Sequence, residues 1–425
     1  MTETVSVNKQ LENSFSDVSD LFKGADVDFH ALCRDMRHNS PVYEGDFIAR
    51  LGIPTNAGIH EPRPTVALFK YKDVMAVMKD AANFTNGFIA EGLGAFFDGL
   101  IILAMDGDQH RRVRALLQPA FMPASVNSWR PMIDRVMRED FLLRLVPDKR
   151  ADLMEFGLHF PIRAIYAVMG FPQDDPEKYK QYAGWALTML GGIQNDPGKM
   201  AEAKIKAGIA VKSLYDAIKE VVVARRAAGT DGDDLIHRLL RAEYEGKKLD
   251  DHEVATFVRS LLPAAGETTT RTFSSVMTLL LERPELLERV RQDRSLLAKV
   301  IDETVRFEPV ATFKVRQAAQ DMEIGGVKIP KGGMVQCIVA SANRDEEVFE
   351  NPDQFDVDRR MKPSFGFGFG THMCIGQFVA KIELTSAINT LLDLFPNIRL
   401  DPDRPAPQIS GAMLRGAKSV PVIWD

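Results

Sequence analysis

One cysteine of this sequence lies in a loop whose composition suits ligand binding. Cys374 belongs to the segment FGFGFGTHMCIG, residues 365–376, which holds four glycines and precedes the amphipathic segment QFVAKIEL. A cysteine just before a helix forms its thiolate most easily, because the free N–H groups of the first turn and the helix dipole stabilise negative charge. The glycines let the backbone turn tightly and approach a flat ligand that a Cβ atom would hold away. The segment therefore predicts a thiolate that faces a planar partner.

Phosphate and zinc sites fit this loop poorly. A P-loop requires a lysine after its last glycine, but Gln377 follows Gly376, and Thr371 stands where a dinucleotide-binding loop has its third glycine. Zinc would find two ligands, His372 and Cys374, but no second pair at zinc spacing. A purely structural cysteine in a glycine-rich loop stays open at this point.

A second stretch that could do chemistry lies in the middle of a long predicted helix. Apolar periodicity runs from Asp250 to Glu282, and the central sequence LLPAAGETTTRT places a proline, a glycine and threonines where a helix is least stable. The Thr268 hydroxyl is expected to bond back to the carbonyl of Ala264, which would open a groove in the helix. Glu267 beside it is a carboxylate that could pass protons inward. An ordinary proline kink with solvated polar residues remains the alternative.

Charged residues complete the set of candidates. Glu303 and Arg306 are three apart and share a helix face, where most such pairs are weak surface salt bridges. Four further basic residues stand in or beside predicted elements: His110, Arg114, Arg316 and His372. Each of them alone is typical of a solvated surface charge.

The elements that must position these residues are mainly helical. Helices are predicted over residues 72–80, 108–121, 200–228 and 250–282. Strands are predicted near 64–71 and in the hairpin-like segment 323–340, which turns at Gly325-Gly326 and at Gly332-Gly333. No internal repeat or long linker interrupts the chain. The predicted fold class is therefore mainly α with a minor β-sheet region (α+β), with a flexible polar N-terminus over residues 1–20 and a single domain over residues 21–425.

Composition narrows the class of protein further. With 425 residues, 45% of them hydrophobic, the chain can bury a large core. The net charge of -6 argues against bulk binding to nucleic acid or to an acidic membrane surface. Cys33, Cys337 and Cys374 lie far apart, so no disulfide framework is suggested. The N-terminal stretch has neither the pattern of a signal peptide nor that of a membrane span, so a cytoplasmic location is expected.

In this order, the motifs resemble those of the cytochrome P-450 family. The segment FGFGTHMCIG, residues 367–376, is similar to the family's haem-binding signature, with the histidine variant of bacterial members at His372. AAGETT, residues 264–269, resembles the acid–alcohol segment of the family's central helix, and Glu303-x-x-Arg306 resembles its buried Glu-Arg pair. The resemblance runs from about residue 71 to the C-terminus.

This resemblance implies the cytochrome P-450 fold, a triangular single domain that holds haem b between a long central helix and the cysteine loop. Cys374 would be the axial thiolate ligand of the iron. Glu267 and Thr268 would be the catalytic residues, which supply protons during oxygen activation. The residues implied to bind the cofactor are His110, Arg114, Arg316, Phe367, Gly368, His372, Cys374, Gly376 and Ala265, and the histidines and arginines among them would hold the haem propionates.

The resemblance also implies a haem-thiolate monooxygenase that inserts one atom of dioxygen into a hydrophobic small organic substrate. The chain has neither a nicotinamide site nor the length for a fused reductase, so electrons from NAD(P)H would arrive through a ferredoxin reductase and a ferredoxin. Such a protein is expected to be a monomer that binds neither nucleic acid nor a membrane. Two alternatives stay open, a haem-thiolate binding protein or sensor without turnover, and a peroxide-driven peroxygenase.

Two expectations are particular to this sequence. Gln354 stands where many family members carry Arg or His as third partner of the Glu303–Arg306 pair, and it could donate a hydrogen bond to Glu303 without bringing a charge. The substrate pocket is expected to be apolar. Its candidate lining is Phe96, Phe97, Ile102, Trp185, Met189, Leu262, Val310, Phe313 and Met413.

Overall fold

The computed structural model describes residues 15–53, 63–91, 101–190 and 197–425. Helices form most of this part. Those of the first half are α1 (Phe29–Asn39), α2 (Phe47–Arg50), α3 (Tyr71–Lys79), α4 (Gly87–Glu91), α5 (Gly107–Leu117), α6 (Pro123–Asn127), α7 (Arg130–Arg135), α8 (Met154–Gly157), α9 (Phe160–Val168) and α10 (Pro176–Leu190). Those of the second half are α11 (Pro197–Ala228), α12 (Leu235–Arg241), α13 (Asp251–Leu281), α14 (Pro284–Gln292), α15 (Leu296–Phe307), α16 (Val339–Ala342) and α17 (Gln377–Leu394). No helix within the described ranges combines the length and the apolar composition needed to cross a membrane.

The strands form one larger sheet and several small ones. They are β1 (Val42–Glu44), β2 (Thr65–Leu68), β3 (Phe84–Thr85), β4 (Arg150–Asp152), β5 (Glu243–Tyr244), β6 (Lys247–Lys248), β7 (Lys314–Ala318), β8 (Met322–Ile324), β9 (Val327–Ile329), β10 (Met334–Cys337), β11 (Arg399–Leu400), β12 (Ile409–Ser410), β13 (Gly416–Ala417) and β14 (Pro421–Ile423). The five-stranded sheet has the order β1-β2-β10-β7-β3, in which only β2 and β10 are parallel. This mostly helical architecture confirms the predicted fold class.

The long helix α13 organises the main core. It begins with the expected capping box, because the Asp250 carboxylate accepts from the Glu253 N–H at 2.8 Å and the Glu253 carboxylate accepts from the Asp250 N–H at 3.0 Å. Most of its side chains are buried, among them Phe273, which packs edge-on against Phe156 and Phe160. A helix that is apolar nearly all round lies inside the protein, with α9, α11, α15 and α17 around it.

Two predicted elements differ from those observed. The helix expected over 108–121 ends at Leu117 and continues as a 3₁₀ turn, because Pro119 has no N–H to donate to the preceding turn. The turn at Gly325-Gly326 joins the antiparallel pair β8 and β9, as expected. After Gly332-Gly333, however, the chain does not fold back on β9, and β10 instead pairs with β2 and β7.

The N-terminal boundary also differs from the expected one. Residues 15–21 are helical, and the side chains of Phe15, Val18 and Ser19 are buried. The expectation of a flexible segment up to residue 20 is therefore wrong for residues 15–20, because a hydrophobic face in this stretch packs on the rest of the domain. Residues 1–14 lie outside the described part.

A buried ion network fixes α15 to the segment before the cysteine loop. The Arg306 Nε donates to one carboxylate oxygen of Glu303 at 2.8 Å and its Nη2 to the other at 2.6 Å, and both side chains are fully buried. The third partner is not the Gln354 side chain, which is exposed. It is Arg359, whose Nε lies 3.4 Å from the Glu303 carboxylate, while Gln354 contributes only its carbonyl oxygen to both arginines. The expectation that Gln354 serves Glu303 is thus wrong, and a charged partner is present.

Because Arg359 and not the Gln354 side chain contacts Glu303, substitutions at these two positions are expected to differ in their effect on stability. Arg359→Met removes a charged donor from a buried carboxylate oxygen of Glu303 that then keeps Arg306 and the Asp356 N–H, and is expected to lower the free energy of unfolding by about 1.5 to 3 kcal/mol. Gln354→Ala removes an exposed side chain and is expected to change it by less than about 0.5 kcal/mol. Urea unfolding followed by circular dichroism measures both, and equal losses in the two variants would contradict this assignment.

Candidate functional site

The loop before α17 is held in a fixed shape by backbone contacts. The Cys374 N–H donates to the Phe367 carbonyl at 2.7 Å, which closes the loop, and Gly368 and Gly370 adopt φ values of +76° and +71°. These left-handed conformations favour glycine. A Cβ atom on Gly370 would collide with the Met78 carbonyl of α3, and one on Gly366 would collide with α15. The glycines are therefore required by the close packing of the loop between two helices.

Cys374 lies just before α17, at the position that the sequence indicated. Its side chain is accessible, whereas those of Cys33 and Cys337 are buried. The N–H groups of Gly376 and Gln377, at the start of α17, donate to its sulfur, and the positive charges of Lys314 and Arg114 also lower its pKa. Desolvation by the protein atoms around the sulfur is the larger influence and raises the pKa above its usual value. A cation bound at the sulfur would reverse that balance.

The hydrogen bond predicted within the central helix is present. The Thr268 hydroxyl donates to the Ala264 carbonyl at 2.9 Å, and Pro263 lies inside the helix just before. Thr268 and Ala264 are both exposed and Ala265 is half-buried, so they form an accessible face of a helix that is otherwise buried. Because Thr272 one turn later bonds back in the same way, to the Thr268 carbonyl at 2.8 Å, the face is lined by hydroxyl groups.

Glu267 points away from this accessible face. Its carboxylate is buried and accepts from the Arg271 Nε at 2.7 Å and from the Arg271 Nη2. Burial raises the pKa of Glu267, and the charge and hydrogen bonds of Arg271 oppose that rise. The expectation of a carboxylate free to move protons inward is thus incomplete, because the carboxylate is tied to a guanidinium on its own helix.

Two of the four predicted cationic residues meet directly. The rings of His110 on α5 and His372 are 4.2 Å apart between centroids, and the His110 Nε2 is buried without a hydrogen-bond partner among the described residues. Burial and the neighbouring His372 lower the pKa of His110 to about 4. Arg114 is half-buried one turn further along α5, and Arg316 is buried on β7. All four side chains are thus buried or half-buried. They are not the solvated surface charges that each residue suggested when considered alone.

The comparison with known families decides between the open alternatives. The family model described as cytochrome P-450 matches residues 59–420. The chain belongs to the cytochrome P-450 family. It is therefore a monooxygenase that holds haem through a cysteine thiolate and acts with dioxygen on a small molecule.

Several bacterial relatives share most of this P-450 chain. It is 30% identical to the cyclomarin C epoxidase CymV of Salinispora arenicola, over 87% of this chain and 90% of the relative. It is 31% identical to a mycinamicin IV hydroxylase/epoxidase of Micromonospora griseorubida, over 84% of this chain and 88% of the relative. Among solved structures, CYP109E1 of Bacillus megaterium in complex with testosterone matches with a TM-score of 0.79 and 26% identity, over 94% of this chain and all of that one.

The site residues of this P-450 fit a haem-thiolate group on their own chemistry. The sulfur of Cys374 is surrounded by N–H donors and positive charge, which suits an anionic ligand of iron. The unpartnered Nε2 of buried His110 suits a carboxylate that the protein does not supply. Gly376 has open space where a Cβ atom would stand, so the backbone there can be approached closely.

Most of the expected pocket residues belong to or pack against two apolar clusters, and two of them, Phe96 and Phe97, lie outside the described residues. Leu262 is fully buried in the main core, and three other members are partly buried against that core: Ile102, Trp185 and Met189. Phe313 and Met413 belong to a second cluster, and Val310 is partly buried with its carbonyl accepting from the Arg415 N–H at 2.9 Å.

Sequence reasoning missed three polar residues around the site. Lys314 is two residues before Arg316 on β7, and the period of two in a strand would have placed both on one face. Asp106 precedes α5 but makes no capping hydrogen bond with its side chain, which instead lies 3.4 Å from His372 and accepts from the Asn86 N–H. Glu383 stands at a core-facing position of α17. A charged residue at a position where helical periodicity predicts an apolar one was the signal that could have identified it.

Glu383 is a second buried acid near the central helix. It is fully buried, is hydrogen-bonded to Thr269 on α13, and has one carboxyl oxygen without a partner among the described residues. Burial raises its pKa well above the usual value, which favours the protonated form of this carboxyl group. It differs from Glu267 in having no arginine beside it.

The loop geometry predicts the effect of one methyl group. In Gly370→Ala, the positive φ alone costs about 1 to 2 kcal/mol, and the collision with Met78 adds to it, so the loop around Cys374 must shift. We expect the purified variant to hold less haem and to show a weaker long-wavelength Soret band in its reduced carbon monoxide complex, a band that requires thiolate ligation.

The matched control is Gly208→Ala, on α11, where a Cβ atom meets open space. It should retain the haem content and spectrum of the parent protein. A Gly370→Ala variant that matches this control in both would show that the tight loop is not needed to hold the thiolate.

Proposed function

We propose that this P-450 hydroxylates a hydrophobic small organic molecule and that Thr268 and Glu267 handle the protons of the reaction. The observation that carries this proposal is the Thr268 hydroxyl, which lies on the accessible face of α13 next to a buried acid. A haem sensor or carrier has no use for such a pair. Peroxide-driven members of the family typically replace it, so its presence also argues against a peroxygenase.

The remaining site residues are proposed to bind the cofactor, taken as haem b. Cys374 would be the iron ligand, with Phe367 beside it and Gly368, Gly376 and Ala265 allowing close approach. His110, Arg114, Arg316 and His372 would bind the propionates. When bound, the haem iron supplies the oxygen activation by which one oxygen atom enters a carbon–hydrogen bond of the substrate.

The chain's own groups would control protons at defined atoms. The Thr268 Oγ1 donates to the Ala264 carbonyl in the structure, and a small rotation about its side chain would turn the hydrogen toward the accessible face. Its oxygen would then need a proton from another group. Glu267, one residue earlier, is the proposed source, and it must first loosen its bonds to Arg271 to supply one.

The substrate is proposed to be held by apolar contact. One side of the pocket would be lined by Ile102, Trp185 and Met189, and the other side by Val310, Phe313 and Met413. The remaining members of the expected lining are Phe96, Phe97 and Leu262. Arg259 is buried, with its guanidinium 5.0 Å from the centre of the Tyr215 ring, and donates to the Val211 carbonyl at 3.5 Å. The names of the two relatives give cyclomarin C and mycinamicin IV as their substrates. A titration of the ferric protein that follows the change in spin state would identify the substrate class of this chain.

Electrons are proposed to come from a ferredoxin and its NAD(P)H-dependent reductase, delivered to a monomeric protein in the cytoplasm. The protein surface near the cysteine loop is the proposed docking site for the ferredoxin. It carries Lys381, which is part-exposed and lies 5.6 Å from the centre of the Phe367 ring. Arg111 is exposed and Arg112 part-exposed on α5, and each is close to a carboxylate, as Lys381 is to Asp302 at 2.6 Å. An acidic ferredoxin would compete with these carboxylates for the three cations.

Thr268→Ala tests the proposed proton handling. Without the hydroxyl, the reduced oxygen should be lost as hydrogen peroxide, so the product formed per NADH consumed should fall by about a hundredfold, the lower end of the range for losing a proton-transfer group. The measurement uses a substrate found by the spin-state titration and a ferredoxin system. Thr272→Ala, which removes an equivalent hydroxyl one turn away, should keep the parent ratio; an unchanged ratio in Thr268→Ala would refute the mechanism.

Lys381→Glu tests the docking of the electron donor. The reversed charge should slow reduction of the ferric protein by ferredoxin by about two- to fivefold, the size of one surface charge pair, and added salt should narrow the difference. Lys219→Glu, an exposed lysine on α11, is the control and should not change the rate. Equal rates for both variants at low salt would place the ferredoxin surface elsewhere.

A further inference from the structure

The N-terminal helical segment, residues 15–21, reaches the central helix at the acid of the site. The Arg271 Nη2 donates to the Ser19 hydroxyl at 2.8 Å, and that hydroxyl donates in turn to the Phe15 carbonyl at 2.8 Å. The guanidinium of Arg271 also lies 4.5 Å from the centre of the Phe15 ring. Ser19 and Phe15 therefore fix the position of the guanidinium from two directions.

The same guanidinium holds Glu267. Its Nε and Nη2 both donate to one oxygen of the Glu267 carboxylate, and Nη2 is shared with Ser19. Phe15, Ser19, Glu267 and Arg271 are all buried. A continuous set of contacts thus runs from the N-terminal helical segment through Arg271 to the carboxylate beside Thr268.

A cavity of about 230 Å³ lies next to Arg271 on the side of the N-terminal helical segment. It is lined by Ser19, Lys23, Arg271, Ser410, Gly411 and Lys418, and its edge carries an ion pair of Lys418 with Asp20 at 2.6 Å. The volume holds several water molecules. Arg271 therefore lies between Glu267 and this polar cavity. The Arg271 side chain could enter the cavity by rotating.

Burial raises the pKa of Glu267, and Arg271 is the charge that opposes this rise. On the neighbouring C-terminal strands, Lys418 is paired with Asp20 and Arg415 is paired with Glu308 at 2.8 Å. On the packed helix α9, Arg163 is paired with Asp140 at 3.0 Å, and His159 before it is neutral near pH 7 because burial lowers its pKa to about 4. Ser19 and Phe15 bring no charge of their own.

We propose that Ser19 and Phe15 are positioning residues for the catalytic acid: they hold Arg271 against the Glu267 carboxylate, and movement of Arg271 into the adjacent cavity exposes that carboxylate to water for proton exchange. This rests on the proposed function only in taking Glu267 as the proton source. It assigns a role in the reaction to a segment far from Glu267 in the chain, since Ser19 and Arg271 are 252 residues apart.

Ser19→Ala tests the proposal, with Ser16→Ala as matched control because Ser16 is exposed on the same helical segment. Infrared difference spectroscopy of the ferric holoprotein would follow the protonated carboxyl band of Glu267, identified by its loss in Glu267→Gln. Since Arg271 favours the carboxylate, a less firmly held Arg271 raises the pKa of Glu267. The protonation midpoint should therefore shift upward by about half to one pH unit in Ser19→Ala and further in Arg271→Met, up to the one to three units that an adjacent opposite charge contributes.

The outcomes are distinguishable. A midpoint in Ser19→Ala equal to that in Ser16→Ala, with a shift in Arg271→Met, would overturn the positioning role of Ser19, and Phe15→Leu gives the same test if Ser19→Ala fails to fold. In turnover with ferredoxin, the pH above which product per NADH declines should move upward by the same amount in Ser19→Ala. If the infrared midpoint shifts but the parent protein forms no product, the proposed function fails while the positioning role stands.

Discussion

The hydrogen bond from the Cys374 N–H to the Phe367 carbonyl closes the loop on which the rest of the site depends. A thiolate can bind iron only if its sulfur is presented in one direction, and a free loop would lose that direction to conformational entropy. The 2.7 Å bond, two left-handed glycines and the packing against α3 and α15 together leave the loop one conformation. The buried Glu303–Arg306–Arg359 network then secures α15, so a set of charges with no direct part in the chemistry keeps the iron ligand in place.

Two buried acids, Glu267 and Glu383, lie on or against α13, and burial raises the pKa of both. Glu267 has Arg271 as a neighbour that opposes this rise, whereas the partner of Glu383 among the described residues is the Thr269 hydroxyl. Environments that push two pKa values apart are a general way to separate acid and base roles within one site. The charge on Arg271 is therefore what distinguishes the two carboxyl groups of this helix pair.

Local sequence patterns predicted the parts of the site that are made by neighbours in the chain. The Thr268 bond to Ala264, the Asp250–Glu253 cap and the position of Cys374 before α17 all follow from spacings of three or four residues. Partners distant in sequence could not be found in this way. Arg359 lies beside Glu303, 56 residues away in the chain, and Ser19 contacts Arg271 from 252 residues away. The Glu267–Arg271 pair, in contrast, has the spacing of four residues and was available to local reasoning. Pro119 indicated that α5 ends near Leu117. The helix was nevertheless predicted to continue to residue 121, because the apolar periodicity extends past Pro119.

The parallel pairing of β2 with β10 has a consequence for how the chain acquires its structure. Residues 65–68 can form their ladder only after residues 334–337 exist, and Ser19 must likewise wait for Arg271. During synthesis from the N-terminus, β2 therefore leaves the ribosome as an apolar strand with one unpaired edge, because only β1 is available to it early. Nascent chains of this protein are thus vulnerable to aggregation until β10 has been made, and cofactor insertion must follow the synthesis of the cysteine loop and α17.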